Sequence, residues 1–262
     1  MIKAAALKPV TTGDMNIVNN VLTNGRQNIK IEHSEEKNLV PHVVESLACQ
    51  MVDLDDYIKD YLRELRSLYA SKKDTFHLSM NHIPLEKKDE IIKLFENLQG
   101  VFSGVYYCEN CDVLYGKLTY SPKAQKFIDG IYMEIACRKM VKDILCEFEN
   151  KYSKKLNLYS NTIVKTANGG TIQQEFDLII ESPSDGYIYL IEIKSGNNFN
   201  EFDKFYNIGC KYHVIPKRLM MINNHLSNEQ IESIEYFCEY YCVNLKNDSL
   251  RKKIFTMLEN DL

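Results

Sequence analysis

Tryptophan is absent from the 262 residues, so aromatic packing falls to Tyr and Phe. No apolar run approaches the ~18 residues of a membrane-spanning helix. Met1 to Val10 carries Lys3 and a short apolar stretch, but it lacks the hydrophobic region of a signal peptide. The expectation is a cytoplasmic protein without a membrane partner. Internal repeats and low-complexity tracts are also lacking, which excludes a solenoid or array. The eight cysteines, at 49, 108, 111, 137, 146, 210, 238 and 242, show no disulfide-like spacing. In a reducing compartment most act as small core residues. The six histidines fall in no metal-ligand pattern, and Gly169-Gly170 marks a loop rather than a phosphate-binding motif. Positive charge is not in excess: the formal net charge is -4. That excludes a basic coat over the whole surface. Local basic surface or a bound divalent metal can still offset acidic groups facing a polyanion.

What is present is the balance of an ordinary globular chain, 45% hydrophobic and 26% charged, enough for a sizeable core in one or two domains. Leu54, Ile58, Leu62, Leu65 and Leu68 recur at helical steps, predicting a helix over 53–69 with Asp53 as N-cap. A strand is expected near 28–31 and a second amphipathic helix over 86–98, ended by Gly100. Two β-rich runs, 101–107 and 113–120, flank a turn containing Cys108, Glu109, Asn110, Cys111 and Asp112. A helix followed by a hairpin suits a winged-helix wing or a small dimerisation element. Ser121-Pro122 marks a boundary. Beyond it the pattern predicts a long helix over 122–152, broken near Gly130, then strands over 162–166, 172–180 and 187–194. A helix over 202–209, a strand over 219–222 and helical periodicity over 227–245 complete an α/β order. The division is an accessory and assembly region, 1–120, mainly helical with a β-hairpin, and an α/β domain, 121–262.

The chemistry concentrates in two strands. In Tyr187 to Lys194 alternate side chains share a face, so Glu192 and Lys194 project together beside Ile188 and Leu190. Two charges at the end of an apolar strand are costly without partners. A second strand carries Asp177 beside Leu178-Ile179-Ile180, and the intervening turn, Ser182 to Gly186, allows a hairpin that brings Asp177 next to Glu192. Two carboxylates can hold Mg²⁺ or Mn²⁺, which prefer oxygen ligands. Such a metal acidifies water and polarises a phosphate, and a lysine can orient the water and offset developing charge. The bare spacing is common in charged chains, and the plain alternative is a solvent-facing Glu–Lys pair at a strand end.

Gln174-Glu175-Phe176-Asp177 followed by Ile191-Glu192-Ile193-Lys194 resembles the core of the PD-(D/E)XK nucleases, with Phe176 where the usual proline stands. Phe127-Ile128-Asp129-Gly130-Ile131-Tyr132-Met133-Glu134 is similar to the helix start of CRISPR-associated nucleases coupled to CARF sensor domains. Glu201 to Tyr206, Pro216 to Met220 and Asp53 to Tyr57 also resemble segments of those proteins. The resemblance implies a restriction-endonuclease-like α/β fold and hydrolysis of DNA, with RNA as a second substrate class. It further implies a homodimer and a role in antiviral defence. Asp177, Glu192 and Lys194 would form the active centre, and Glu134 would be a further catalytic and metal-binding acid; an exposed helical Glu is the alternative. Glu175 is a weaker metal-site candidate on the face of 177. Control by cyclic oligoadenylate would follow if a sensor were present, but residues 1–84 are short for a CARF domain.

Lys204, Lys211, Lys217 and Arg218 follow the proposed active strand and can contact a nucleic-acid backbone; a solvated basic face is the alternative. Tyr206 and Tyr212 can stack a base or pack a core, and His213 lies near Lys211 and Lys217. Cys108-x-x-Cys111 can supply half a zinc site, and Cys238 with Cys242 the other half if they share a helix face. Two rivals stand beside the nuclease: a catalytically silent nucleic-acid-binding module, and an assembly protein built on 53–120.

Overall fold

The chain enters one folding unit, leaves it, and returns. In the computed structural model, Met1–Asn38 and Val141–Leu262 cluster together, and Leu39–Met140 form a second unit. The described residues are 16–23, 29–33, 40–166, 170–196, 202–245 and 249–262. The expected division at residue 120 differs from this one. Residues 121–140 group with the inserted unit, and the first strand belongs with the C-terminal sheet. Among the described residues no helix is long and apolar enough to cross a membrane.

Two short elements precede the insertion, helix α1 (Asn16–Thr23) and strand β1 (Ile29–His33). The inserted unit then runs α2 (His42–Asp53), α3 (Asp55–Ala70), β2 (Thr75–Ser79), α4 (Leu85–Asn97), β3 (Phe102–Cys108), β4 (Val113–Leu118) and α5 (Pro122–Lys126). Asp53 does not cap α3; it is the last residue of α2, whose buried Leu47, Ala48, Met51 and Val52 continue the helical pattern upstream. Leu54 joins the two helices, its N–H still bonded to the Gln50 carbonyl at 3.0 Å. Strand β2 escaped the sequence reading because it is short, yet it alternates cleanly, burying Phe76 and Leu78. The sheet order is β2-β4-β3, antiparallel throughout. Phe76, Phe95 and Phe102 pack together beneath it, with ring centroids 5.0–6.2 Å apart. One helix, α4, lies between β2 and β3, and the tandem helices α2 and α3 precede β2.

The break expected near Gly130 is present. A kinked turn, Phe127–Ile131, links α5 to α6 (Tyr132–Tyr152), with Gly130 in a non-helical conformation at φ 150°. Arg66 donates to the Ile128 carbonyl within that turn at 2.9 Å. Ser121 caps α5, its hydroxyl accepting from the Ala124 N–H, with Pro122 at the first helical position.

After the insertion come β5 (Asn157–Thr166), β6 (Ile172–Ser182), β7 (Tyr187–Lys194), α7 (Phe202–Lys211), β8 (Leu219–Asn223), α8 (Asn228–Cys238), β9 (Tyr241–Val243) and α9 (Ser249–Glu259). With β1 they form a six-stranded mixed sheet, order β1-β5-β6-β7-β8-β9. Pairing is antiparallel from β1 to β7 and parallel from β7 to β9. Both faces are covered. Ile179, Ile188, Leu190, Leu219 and Met221 meet α1, α7 and α8 through Val18, Leu22, Phe205, Ile208, Ile231 and Ile234. The alternate residues Leu178, Ile180, Tyr189, Ile191, Met220 and Ile222 are buried on the opposite face. Buried Glu181 accepts from the Val18 N–H, Asn157 Nδ2 and the Tyr159 hydroxyl, so its charge has partners.

The helix expected over 227–245 is instead α8 followed by β9. A Ser227–Gln230 capping box starts α8, and Glu239, at φ 58°, ends it in a left-handed turn. Cys238 and Cys242 therefore share no helix face: one ends the helix and the other lies buried on the strand.

The C-terminus is tied down by Arg218, whose Nε and an Nη each donate to Asp261 at 2.8 Å, while Tyr189 donates to the same carboxylate at 2.9 Å. Arg218 beside Asp261 holds that carboxyl below the ordinary aspartate range, against the opposing effect of burial. A depressed carboxyl contributes stability above its unfolded pKa and loses it as pH falls through the folded value. Asp261→Asn should therefore cost about 1–3 kcal/mol at neutral pH. In urea titrations its deficit against the parent should shrink as pH drops below the ordinary value of about 3.9. A deficit independent of pH would remove the charge from this account.

Candidate functional site

The site begins where the apolar part of β7 ends. Tyr187–Lys194 buries Ile188 through Ile191 continuously and then alternates: Glu192 and Lys194 half-buried, Ile193 buried. Glu192 and Lys194 continue the side of the strand that carries Ile188 and Leu190, as the alternation predicts. Lys194 Nζ lies 2.5 Å from Glu192 Oε1, with the lysine side chain 38% and the glutamate side chain 15% exposed. The charges at the strand end are thus paired, and a pair this sheltered is screened less than a surface one.

Asp177 reaches the same place from β6. The β6–β7 register runs from Ser182↔Tyr187 to Leu178↔Ile191, the pair next to Asp177. At that point the Asp177 carboxylate accepts the Ile193 N–H at 2.7 Å. One hydrogen bond therefore fixes the carboxylate against the peptide that joins Glu192 to Lys194. The strand is not regular here. On β5 the register partners run to Ser160↔Leu178 and resume at Thr162↔Phe176, and Asn161, between them, has φ 51°. Phe176 and Ile179, three residues apart, belong to the same core cluster. The period-two pattern is interrupted at Asp177 without a shift of register, since Ser160↔Leu178 and Thr162↔Phe176 stay in step. Glu175 is exposed, and this break removes the parity argument that placed it beside Asp177.

A positioning residue not anticipated from sequence completes the surroundings. Asn223, fully buried at the end of β8, is the register partner of Lys194. Its Nδ2 donates to the Gly196 carbonyl at 3.3 Å, and its Oδ1 accepts the His225 N–H at 2.8 Å. His225 Nε2 lies 3.1 Å from the Ser195 carbonyl. The backbone leaving Lys194 is held by β8 and its following turn. The only sequence signal was an Asn-Asn pair closing an apolar run.

The other expected residues lie in several places. Glu134 is in the first turn of α6, among residues of the inserted unit. Among the described residues no group of three or more His, Cys, Asp or Glu is gathered to hold a metal ion. The first unit offers a carboxylate pair. Lys204 and Lys211 are exposed on α7, Lys211 lying 5.1 Å from the Tyr212 ring centre, and Lys217 is exposed on the turn before β8. Arg218 differs from the expectation of a phosphate contact. It is directed at Asp261 and stacked 3.4 Å over Tyr187, an intrachain role. Tyr212 is a core residue, edge-on to Phe176 at 5.3 Å, whereas Tyr206 and His213 are exposed.

No family model and no curated protein matches the sequence. Solved structures share its fold. The crystal structure of protein VC1899 from Vibrio cholerae aligns at a TM-score of 0.57 and 14% identity, over 89% of this chain and 59% of that one. Can2 from Sulfobacillus thermosulfidooxidans, in complex with cyclic tetra-adenylate, aligns at 0.55 and 15%, over 88% of this chain and 58% of that one. The chain therefore spans less than two thirds of either neighbour. At these identities the likeness is one of fold.

Asp177→Asn keeps an acceptor for the Ile193 N–H and removes one negative charge from the pair. The metal-free variant should fold and melt at or slightly above the parent temperature, because like-charge repulsion is relieved. A loss of about 1–3 kcal/mol in chemical denaturation would mean that the charge-assisted bond to Ile193 outweighs that repulsion.

Proposed function

We propose that this protein is a metal-dependent nuclease of the PD-(D/E)XK type, with Asp177 and Glu192 as metal ligands and Lys194 as the catalytic lysine. The observation that carries the reading is the Asp177 carboxylate bonded to the peptide between Glu192 and Lys194. An acid from the middle of β6 meets an acid and a lysine at the end of β7. The donor set fits Mg²⁺ or Mn²⁺: both ligands are carboxylates, and neither sulfur nor imidazole is required. Bound there, the metal would supply acidification of water and polarisation of a phosphate oxygen.

The chain's own residues divide the remaining work. In the metal-free arrangement Glu192 neutralises Lys194. With Glu192 holding a cation, Lys194 would orient water and offset charge growing on the phosphate. The Asp177 bond to the Ile193 N–H keeps its carboxylate in place before binding, which lowers the cost of organising the site. Exposed Lys204, Lys211 and Lys217 are the proposed backbone contacts of a DNA or RNA substrate. Arg218 is left out of that set, and Glu134 enters as a third acid through the sequence resemblance alone. Shared fold with Can2, together with the sequence resemblance to CARF-linked nucleases, supports a role in CRISPR-associated antiviral defence as a homodimer.

The test is cleavage of single- and double-stranded DNA and RNA with Mg²⁺, Mn²⁺ or excess EDTA, each with and without cyclic tetra-adenylate. Cleavage should require the metal. Lys194→Ala should lose at least about 100-fold in rate, the scale of one electrostatic catalytic group, while calorimetric Mn²⁺ binding persists. Asp177→Ala and Glu192→Ala should lose both. Full activity in EDTA, or unchanged cleavage by Lys194→Ala, would sink the mechanism. Nucleic-acid binding without cleavage under any condition would favour the silent module.

A further inference from the structure

The open face of the inserted unit's sheet carries a row of rings that the proposed nuclease chemistry does not use. One face of β2-β4-β3 is packed, with Phe76, Leu78, Phe102 and Leu114 buried on it. On the other face His77 of β2, Tyr115 of β4 and Tyr106 of β3 are register partners, one per strand. The Tyr106 and Tyr115 rings are stacked, centroids 5.0 Å apart and planes 9° apart. His77 is tilted against Tyr115 at 4.9 Å from the neighbouring strand. Cys111 Sγ lies 3.5 Å from the Tyr115 hydroxyl and steadies the middle ring. The row ends at Tyr106, which stands on the edge strand and is 57% exposed. Tyr115 covers one face of that ring, and the other face is open to solvent.

The chain departs from regular pairing to put Tyr106 there. A regular ladder running on from Phe102↔Leu118 and Ser103↔Lys117 would set Val105 opposite Tyr115. Instead the register shifts between Ser103 and Tyr106, so that Gly104 and Val105 stand against Gly116 alone. Gly104, at φ 57°, supplies the left-handed residue such a bulge uses. Stability of the sheet does not call for this device, since Val beside Tyr is already a favourable cross-strand pair. The bulge exchanges a β-branched residue for an aromatic one whose ring face meets water.

The adjoining row carries positive charge. Lys117, exposed on β4, is the diagonal neighbour of Tyr106, close enough for a long side chain to reach past it. Its register partners Ser103 and Thr75 are exposed and bear hydroxyls. An open ring face beside an ammonium suits a nucleotide: the base extends the stack and the phosphate meets the lysine. In a duplex each base is already stacked on its neighbours, so an unpaired base fits this place. We propose that the open sheet face binds single-stranded nucleic acid, with Tyr106 as the stacking platform and Lys117 as a phosphate contact. The contacts are to base and phosphate, which DNA and RNA share, so strands of either kind bind alike. The face belongs to the inserted unit, not to the unit that carries Asp177, Glu192 and Lys194, and its binding needs no metal.

The experiment uses the full chain in excess EDTA, so that metal-dependent cleavage plays no part. The chain has no tryptophan, so Tyr106→Trp introduces a single reporter at the end of the row. Short oligo(dT) and oligo(U) should quench its emission as a base stacks on the indole, and a duplex of the same length should not. In fluorescence anisotropy with labelled oligo(dT), Tyr106→Ala should weaken binding at least about fivefold, the low end for loss of one base stack. Lys117→Gln should lower the slope of log affinity against log salt by about 0.7, the share of one phosphate contact on a single strand. Both side chains are exposed, and unchanged circular-dichroism melts check that the variants fold. No quenching at saturating strand, equal quenching by duplex, or parental affinity in Tyr106→Ala would overturn the proposal. Self-association lost in Tyr106→Ala with strand binding unaltered would overturn it too, making the face a contact between copies. No readout involves cleavage, so failure here leaves the nuclease reading standing, and a protein that never cleaves leaves this one standing.

Discussion

The register of β6 against β7 is the constraint on which the rest of the first unit depends. Leu178↔Ile191 and Ile179↔Leu190 place apolar side chains on both faces of the sheet, and both faces are covered by helices. A slip of one residue would turn every side chain of one strand to the other face. It would set buried Glu181 among the side chains of the opposite layer and separate it from Val18, Asn157 and Tyr159. The cost of that exchange keeps Asp177 beside the end of β7, where its carboxylate accepts the Ile193 N–H. The geometry of these polar residues is thus inherited from apolar residues that take no part in chemistry.

The sequence was legible where a period ran long and uninterrupted. Leu54 through Leu68 marked α3, the apolar run of β7 announced its strand, and Gly130 announced the break before α6. It was least legible where one residue changes the local rule. Asn161 at positive φ and the interruption at Asp177 look, as letters, like ordinary strand positions. Glu239 in a left-handed turn cut the expected C-terminal helix in two, because the periodicity of α8 runs on by chance into a strand. Long-range partners were equally hidden: the letters gave no hint that Arg218 would meet Asp261. The carboxylate–lysine grouping could be found because its members lie on consecutive strands joined by a short turn. Asn223 could not, since it arrives from a strand beyond a helix.

Basic residues near the strand ends show how little charge alone decides. Lys204, Lys211 and Lys217 stay exposed, whereas Arg218, their neighbour in sequence, is directed inward by two hydrogen bonds and an aromatic ring. A planar guanidinium matches a carboxylate in a way an ammonium does not, so the arginine is the one captured by the C-terminus.

The sheet takes its outermost strand from before the insertion and the next from after it: β1 pairs with β5 from Ile29↔Thr166 to His33↔Thr162. During synthesis the ribosome releases α1 and β1 long before their partners exist. Residues 39–140 can complete their own unit in that interval, while the N-terminal segment waits with its apolar side uncovered. Its docking on β5 closes the longest loop in the topology, across the whole inserted unit.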